Sequence, residues 1–349
     1  MNDEPVHSLS PRHPRGIALI STMFVLFFLM ALALSYAFAA RLESSLARNY
    51  ADDMQAQYCA KAGIYRALAE IKEQERRGYF AYPRMDVPED AELLTRYQEV
   101  FQDYPIGEGT YTVKFKDNFG QAGLGPMDEN SLININRLAQ REDRETLRRL
   151  LQVATDDEVI IGKVIDHLID YVDDNDNKNL DGAEEMEYEE LVPRQTIRNG
   201  PMRDVNEFLT VLNVLKKNNP DYIDETIWFG EDANENGVLD PNEDDGPETP
   251  PVDNQDGILN RGIKDFVTVD SDGTSVNPNT ASPEVLQIVM PDQYEQIIQQ
   301  RQIGHVSGSS QTYRIRSYGR AHGYVHVVEW VVRLGGQGGY PSVIRMRSL

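Results

Sequence analysis

The sequence has a single cysteine, Cys59, in 349 residues. A lone thiol closes no internal disulfide and cannot build a multi-cysteine zinc or iron–sulfur site. Six histidines are scattered without HExxH or any comparable metal spacing. Lysine and arginine are scarce, 34 against 57 Asp and Glu, for a formal net charge of −23. A surface this acidic repels phosphate, which excludes general nucleic-acid binding. Catalytic signatures are missing too: no GxSxG, no Walker A, no GxGxxG after a strand and no Cys/His pairing. Carboxylate pairs are abundant enough to imitate a glycosidase dyad by chance. His167, between Asp166 and Asp170 in a predicted helix, reads as a partly buried helix residue rather than a base. The chain is expected not to be an enzyme.

What is present begins with a long hydrophobic run. Residues 17–40 are 24 consecutive uncharged positions. At ~1.5 Å rise per residue, a helix of that length spans a bilayer core of ~30 Å. Arg12, His13 and Arg15 precede it, and the positive-inside bias puts that end in the cytoplasm. The body then faces the other side, in a bacterium the periplasm. A cleaved secretory signal fits poorly, because such signals have a shorter apolar stretch of ~7–15 residues and a small-residue cleavage site. Past Arg41 the apolar spacing of three and four continues through Tyr50, Tyr58, Ala62, Tyr65, Leu68 and Ala69, with no proline before Pro83. This predicts one helix over residues 17–75, half in lipid and half amphipathic. Gly63 is its expected weak point, and Cys59 a packed small side chain.

Hydrophobic residues make up 40% of the chain, enough for packed cores, and the length suggests roughly two units. In 107–117, Tyr111, Val113 and Phe115 alternate with polar residues, the pattern of a half-buried strand. Three more strands are predicted over 311–318, 323–333 and 340–347, with Gly319, Gly323 and the glycines of 335–339 as turns. In the second of these, Tyr324, His326, Val328 and Trp330 share one face, and Val325, Val327 and Val331 the other. The long helix and an antiparallel sheet of about four strands make an α+β unit assembled from both ends of the chain. Between the strands, helices are predicted over 141–153, 158–172, 205–215, 220–226, 283–289 and 292–302, with Asp143 and Asp156 near helix starts as caps.

The negative charge is concentrated. Residues 165–260 hold 26 Asp and Glu against 6 Lys and Arg, a net of −20. A run like this is ordinarily a solvated or disordered face. Two stretches say more. From Asp232 to Glu243, oxygen side chains stand at loop positions 1, 3, 5, 9 and 12, with Gly237 at 6, the EF-hand calcium pattern. Asp232, Asn234 and Asn236 would point oxygens inward and Val238 would offer its carbonyl. Asp240 would act through a water, and Glu243 would close the shell. The second stretch aligns without a gap as Asp173, Asn175, Asn177, Asn179, Asp181 and Glu184, with Lys178 where glycine belongs. That lysine implies strain and a cation near the ion, and a shifted register through Asp174, Asp176 and Glu185 stays open. A third piece, 252–263, keeps the central pattern but has Val252 and Ile263 at its ends; it reads as degenerate, with Asp253 or Asp256 available to a neighbouring site. Helices of a sensor-type EF-hand are not expected, since Pro241 and Pro247 intervene. Hard oxygen donors without His or Cys favour Ca²⁺ over transition metals.

Arg15-Gly16 followed by Ile17 and a long apolar helix resembles the class III signal of type IV pilins and type II secretion pseudopilins. The resemblance implies a prepilin peptidase cutting after Gly16 on the cytoplasmic side and methylation of Ile17. Most members carry Glu at mature position 5, where Ser21 stands here. That departure resembles one subfamily, the minor pseudopilin K (GspK), which is believed to cap the filament. An ionised carboxylate in a lipid-facing helix costs several kcal/mol unless a partner neutralises it, so its omission suits a subunit with nothing above. Two segments also recur in that subfamily, Asp128 to Asn136 and Val276 to Leu286. The second resembles the Asn-rich turn of a helix-hairpin-helix unit. Its surroundings, Asp270, Asp272, Glu284, Asp292 and Glu295, suit a structural turn rather than DNA.

The resemblance covers essentially the whole chain. It implies a pilin-like long N-terminal helix packed on an antiparallel sheet, with a large inserted α-helical domain carrying calcium loops. The expected domains are a leader (1–16), the transmembrane half-helix (17–40), a pseudopilin α/β domain (41–127 and 307–349) and the insertion (128–306). Two structural calcium ions are implied. The implied partners are the other minor pseudopilins of a tip complex, the major pseudopilin, the prepilin peptidase and the inner membrane. The expected location is the bacterial inner membrane, single-pass, with a periplasmic body. The implied function is to cap the type II secretion pseudopilus and help initiate its assembly. A minor pilin of a type IV pilus and a membrane-anchored calcium-dependent binding module are the alternatives.

Overall fold

The computed structural model describes residues 15–77, 91–116, 122–218, 226–232, 239–246, 248–249, 253, 255, 257, 259–273, 275–303, 306, 308, 310–335 and 341–349. Helix α1 (Arg15–Arg77) is one continuous α-helix of 63 residues. Among the described residues it is the one helix long and apolar enough to cross a membrane. Its large apolar side chains from Leu19 to Phe38 are all exposed. The chain divides into two compact units between Gln55 and Ala56.

In the second unit, α1 is followed by α2 (Ala91–Phe101), β1 (Tyr104–Ile106), β2 (Gly109–Lys116), β3 (Ala122–Leu124) and β4 (Met127–Asp128). The chain then runs through β5 (Ile133–Asn134), α3 (Ile135–Gln140), α4 (Arg144–Leu151), α5 (Glu158–Val172), α6 (Glu185–Glu189), α7 (Phe208–Asn218) and α8 (Thr226–Phe229). It closes with β6 (Val267–Thr268), α9 (Pro283–Val289), α10 (Tyr294–Ile303), β7 (Thr312–Ala321), β8 (Tyr324–Arg333) and β9 (Ser342–Ser348). The main sheet is antiparallel in the order β1-β2-β7-β8-β9, with β3 added on β2 and β4 on β7. All four strands expected from alternation are present. Short β1, β3 and β4 and helix α2 are additions that periodicity did not reveal.

Two hydrophobic cores result. One lies under the sheet and combines Ala60, Ile64, Ala67 and Ile71 of α1, Tyr97 and Phe101 of α2, and Tyr111, Val113, Ile315, Val328, Trp330 and Val332 of the strands. Val331, on the opposite face of β8, is buried as well. The larger core runs from Ile133 to Ile297 and centres on α5, whose Ile161, Val164, Leu168 and Ile169 are all inside. Phe208 stacks on Trp228 there at 5.1 Å.

The two recurring segments meet at the neck of this second core. Asn277 Nδ2 donates to Asp128 Oδ2 (2.9 Å), and Thr280 Oγ1 donates to the same oxygen (2.6 Å). The Asn277 N–H bonds the Asn130 carbonyl at 2.7 Å. Asn279 holds Val306 in both directions, its Nδ2 donating to the carbonyl and its Oδ1 accepting from the N–H. Asn279 thus serves backbone groups that would otherwise be orphaned, while Asn277 gives its amide N–H to the buried Asp128 carboxylate. The cap of α9 itself is Ser282, whose Oγ accepts from the Val285 N–H.

Two cap expectations part company. Asp143 caps α4 through the Thr146 N–H at 3.1 Å, as read from the sequence. Asp157, not Asp156, caps α5, accepting from Val159 and Ile160. Either neighbour satisfied the composition rule, and only the one whose carboxylate turns back on the first turn can serve. The helix expected over 220–226 lies outside the described residues except for Thr226, which opens α8.

Gly63 is no weak point. A Cβ there would stand 2.2 Å from Ser317 Oγ and 2.9 Å from the Tyr111 ring. On the sheet side, a Cβ on Gly319 would fall 2.0 Å from the Ala56 carbonyl oxygen and 2.3 Å from the Ala60 nitrogen. Small residues on both surfaces let helix and strands approach more closely than side chains would permit. Replacing Gly319 by Val is expected to lower stability by about 1–3 kcal/mol through overpacking. Gly162 in α5 is the contrast: nothing lies within 4 Å of its Cβ position. Gly162→Ala is expected to raise stability by about 0.5–1 kcal/mol. Denaturant melts of the two variants check both signs.

Candidate metal centre

Loop 173–184 starts where α5 stops. Asp173 closes the helix, its N–H bonded to the Ile169 carbonyl, and its Oδ1 accepts from the Asn175 N–H at 3.2 Å. Asn175 Oδ1 in turn accepts from the Asn177 N–H at 2.8 Å. These successive Asx turns wind the first half of the loop as its Asp and Asn side chains favour. Lys178 does not disturb it. It is not among the left-handed residues, so the expected strain is absent, and its Nζ turns to Glu187 Oε1 at 2.5 Å.

The second half departs from the simple pattern. Asn179 gives its backbone N–H and its Nδ2 to Asp170, and Asp181 gives its N–H to Asp166 Oδ2 at 3.0 Å. Asp166 is further held by Arg144 at 2.7 Å. Asp170 and Asp166, one turn apart on α5, were missed as part of the site. Their signal was the i,i+4 spacing of two acids on an otherwise apolar helix. A Cβ on Gly182 would sit 1.8 Å from Asp170 Oδ2, so glycine is what lets the backbone pass this buried carboxylate.

Glu184 is the least satisfied group. Both carboxylate oxygens are shielded from solvent and accept no hydrogen bond among the described residues. Burial, followed by the fields of Asp170, Asp173, Asp176 and Glu187, pushes its pKa up to about 7. Burial also raises Asp170 and Asp173. A buried, unpaired carboxylate crowded by others is an environment a divalent cation relieves, and every donor here is a hard oxygen, so the residues fit calcium. Among the described residues no three acidic, His or Cys side chains converge into a closed shell.

Of the loop 232–243, Asp232, Asp240 and Glu243 are described; Asn234, Asn236 and Val238 lie outside the described residues. Glu243 is buried, and its Oε2 accepts from the Asp240 N–H at 3.0 Å. The oxygens of Asp253 accept from the N–H groups of Asp245, Gly246 and Gln255. Asp256 lies outside the described residues. His167 is buried in α5 with Nδ1 3.0 Å from the Lys163 carbonyl, and burial lowers its pKa. At the other end of the chain, Gly16 and Ile17 lie in the first turn of α1, and Ser21 is exposed one turn further on.

Residues 131–218 match the family model for the type II secretion system protein K. A solved structure, the GspK-GspI-GspJ complex from the enterotoxigenic Escherichia coli type 2 secretion system, contains a chain of the same fold. The TM-score is 0.51 at 13% identity, over 87% of this chain and 99% of that one. The chain is therefore similar to the type II secretion system protein K over residues 131–218, and over most of its length it shares the fold of a chain in that solved complex. No curated protein matches it. The matched segment holds α3 to α7 and the whole 173–184 loop, so the family signature and the candidate centre coincide.

Glu184 yields a pH dependence of definite sign. Its pKa in the folded chain lies above the ordinary 4.5, so the folded state holds a proton that the unfolded state has released. Without calcium, this contribution to stability is present below the ordinary value and lost as pH rises through about 7. In EGTA, the melting temperature of wild type is expected to fall from pH 5 toward pH 8 relative to Glu184→Gln. Parallel pH profiles for the two proteins would contradict the assignment.

Proposed function

We propose that this chain is a K-type minor pseudopilin that caps the tip of the type II secretion pseudopilus and helps initiate its assembly for secretion across the outer membrane. Its work is mechanical rather than catalytic. Prepilin peptidase would cut after Gly16, and the helix beginning at Ile17 would be retained as the membrane anchor, with the body in the periplasm. Other minor pseudopilins would pack beside that helix, and the major pseudopilin would follow below. What carries the reading is Ser21: the position where a pairing carboxylate is usual has no charge to offer a subunit above. The second, larger core adds bulk that suits a terminal subunit better than a repeating one.

Calcium would serve as the staple that disulfides provide elsewhere in oxidising compartments. Asp173, Asn175, Asn177 and Glu184, with Asp170 behind them, would hold one ion; Asp232, Asn234, Asn236, Val238, Asp240 and Glu243 would hold the other. When bound, the ion supplies positive charge that offsets the mutual repulsion of these carboxylates. Asn179 and Asp181 position the loop by giving their N–H groups to Asp170 and Asp166.

Three outcomes are expected. Replacement of Gly16 by a bulky residue should leave the precursor uncleaved and abolish secretion, whereas wild-type mature protein should begin at Ile17 by N-terminal sequencing. A cysteine placed at position 21 should cross-link to subunits on one side only in assembled filaments; links above and below would overturn the cap. Calcium at a hundred-fold excess over its Kd should stabilise the chain by about 2.7 kcal/mol per site. Melts in calcium and in EGTA read that gain, and Glu184→Gln should lose the share of the first loop.

A further inference from the structure

Tyr171 stands in the last turn of α5, just ahead of the loop's first residue Asp173. Its ring tilts against that of Tyr188 in α6, just beyond Glu184, with centroids 5.8 Å apart. Both tyrosines are buried, so together they pinch the two ends of the 173–184 loop. In a close-packed interior neither ring shifts without moving the mouth of that loop.

From this pinch a line of polar contacts leads away. Tyr171 Oη donates to Glu207 Oε2 at 3.1 Å. The other oxygen, Glu207 Oε1, accepts from the N–H groups of Arg203 (2.8 Å) and Asp204 (3.1 Å). Glu207 is thereby fixed at both oxygens, and it sets Asp204 at the start of the 3₁₀ turn Val205–Glu207. The Asp204 carboxylate reaches strand β9, pairing with Arg347 and with Arg345 at 3.4 Å. Burial alone would raise Asp204, but the Asn206 N–H and these two arginines hold its pKa below the ordinary value. Arg345 also binds Asp270 at 2.7 Å. Strand β9 is the sheet's edge and pairs with β8 alone among the described residues, while Val343, Ile344 and Met346 are exposed. The arginine contacts are therefore a large part of what ties it down beyond its single ladder.

We propose that closure of the 173–184 loop around a divalent cation anchors the C-terminal strand β9, with Tyr171, Glu207 and Asp204 as positioning residues that connect the loop to Arg345 and Arg347. The inference rests on the calcium reading above. Without a cation, nothing bridges the acidic side chains Asp173 and Glu184 at the two ends of the loop, which leaves α6 free to part from α5 and Tyr188 from Tyr171. With a cation the pinch closes, Glu207 is held, and Asp204 presents its carboxylate to β9. The coupling is a linkage: the ion stabilises the anchored strand only to the extent that it prefers the closed loop.

The test uses the full-length chain in detergent, with calcium binding followed by calorimetry and backbone protection by hydrogen–deuterium exchange. In wild type, calcium relative to EGTA is expected to slow exchange across β9 roughly five-fold or more. Tyr171→Phe keeps the ring but removes the bond to Glu207. It should bind calcium with wild-type heat and protect 173–184 normally, yet lose most of the β9 response. Glu207→Gln should behave alike, which guards against a folding defect peculiar to the first variant. Calcium heat with unchanged β9 exchange in wild type overturns this inference alone, as does a full β9 response in both variants. If neither heat nor loop protection appears, the calcium reading and this inference fall together.

Discussion

Every carboxylate that the acidic segment buries must be met by a cation or by several N–H groups, because an uncompensated charge away from water costs several kcal/mol. Most of the structure's polar detail follows from that demand. Asp166 is met by Arg144, Glu129 by Arg314 and Thr268, Asp270 and Asp204 by the arginines of β9. Asp253 is met by three backbone N–H groups and Asp170 by Asn179. Glu184 alone of these is left with both oxygens unanswered among the described residues.

The same demand decides how the two cores are joined. The sheet's strands are rich in arginine: Arg314 and Arg316 on β7, Arg333 on β8, Arg345 and Arg347 on β9. Three of them close on acids of the inserted segment, so the seam is ionic where the cores themselves are apolar. Glu129 is fully buried against Arg314, and removing either partner would strand a charge. The neck beside it is closed by amides instead, Asn277 and Asn279, which bond buried backbone without adding to an already large negative charge. On the sheet's other face the contact between α1 and the strands is close. It depends on absent side chains, Gly63 and Gly319, and on Ala56 and Ala60.

Local patterns carried most of the secondary structure. The alternation in β2, β7, β8 and β9 and the apolar spacing of α1, α5 and α9 are written within a few residues, and the structure follows them closely. Short elements such as β1, β3 and β4 have too few residues to show a period, and they exist because a neighbouring strand offers its edge. The candidate centre was half legible. Asp173, Asn175 and Asn177, expected as ligands, are joined by successive Asx turns, whereas Asn179 and Asp181 turn to Asp170 and Asp166, acids in a helix that the loop pattern does not include.

By itself the sequence determined what depends on neighbours along the chain: a 24-residue uncharged run that becomes membrane-length helix, an α+β order of elements, and two oxygen-rich loops. Only tertiary structure decided which charges are answered. Glu129 and Arg314 are 185 positions apart, and Arg345 and Asp270 are 75 apart, so no local period links them. Gly63 shows the same division, since helix propensity sees a missing side chain as a weakness while the packed sheet requires the space. Periodicity is a property of the backbone's own geometry; neutralising a charge or fitting a helix to a sheet depends on surfaces that do not exist until the chain has folded.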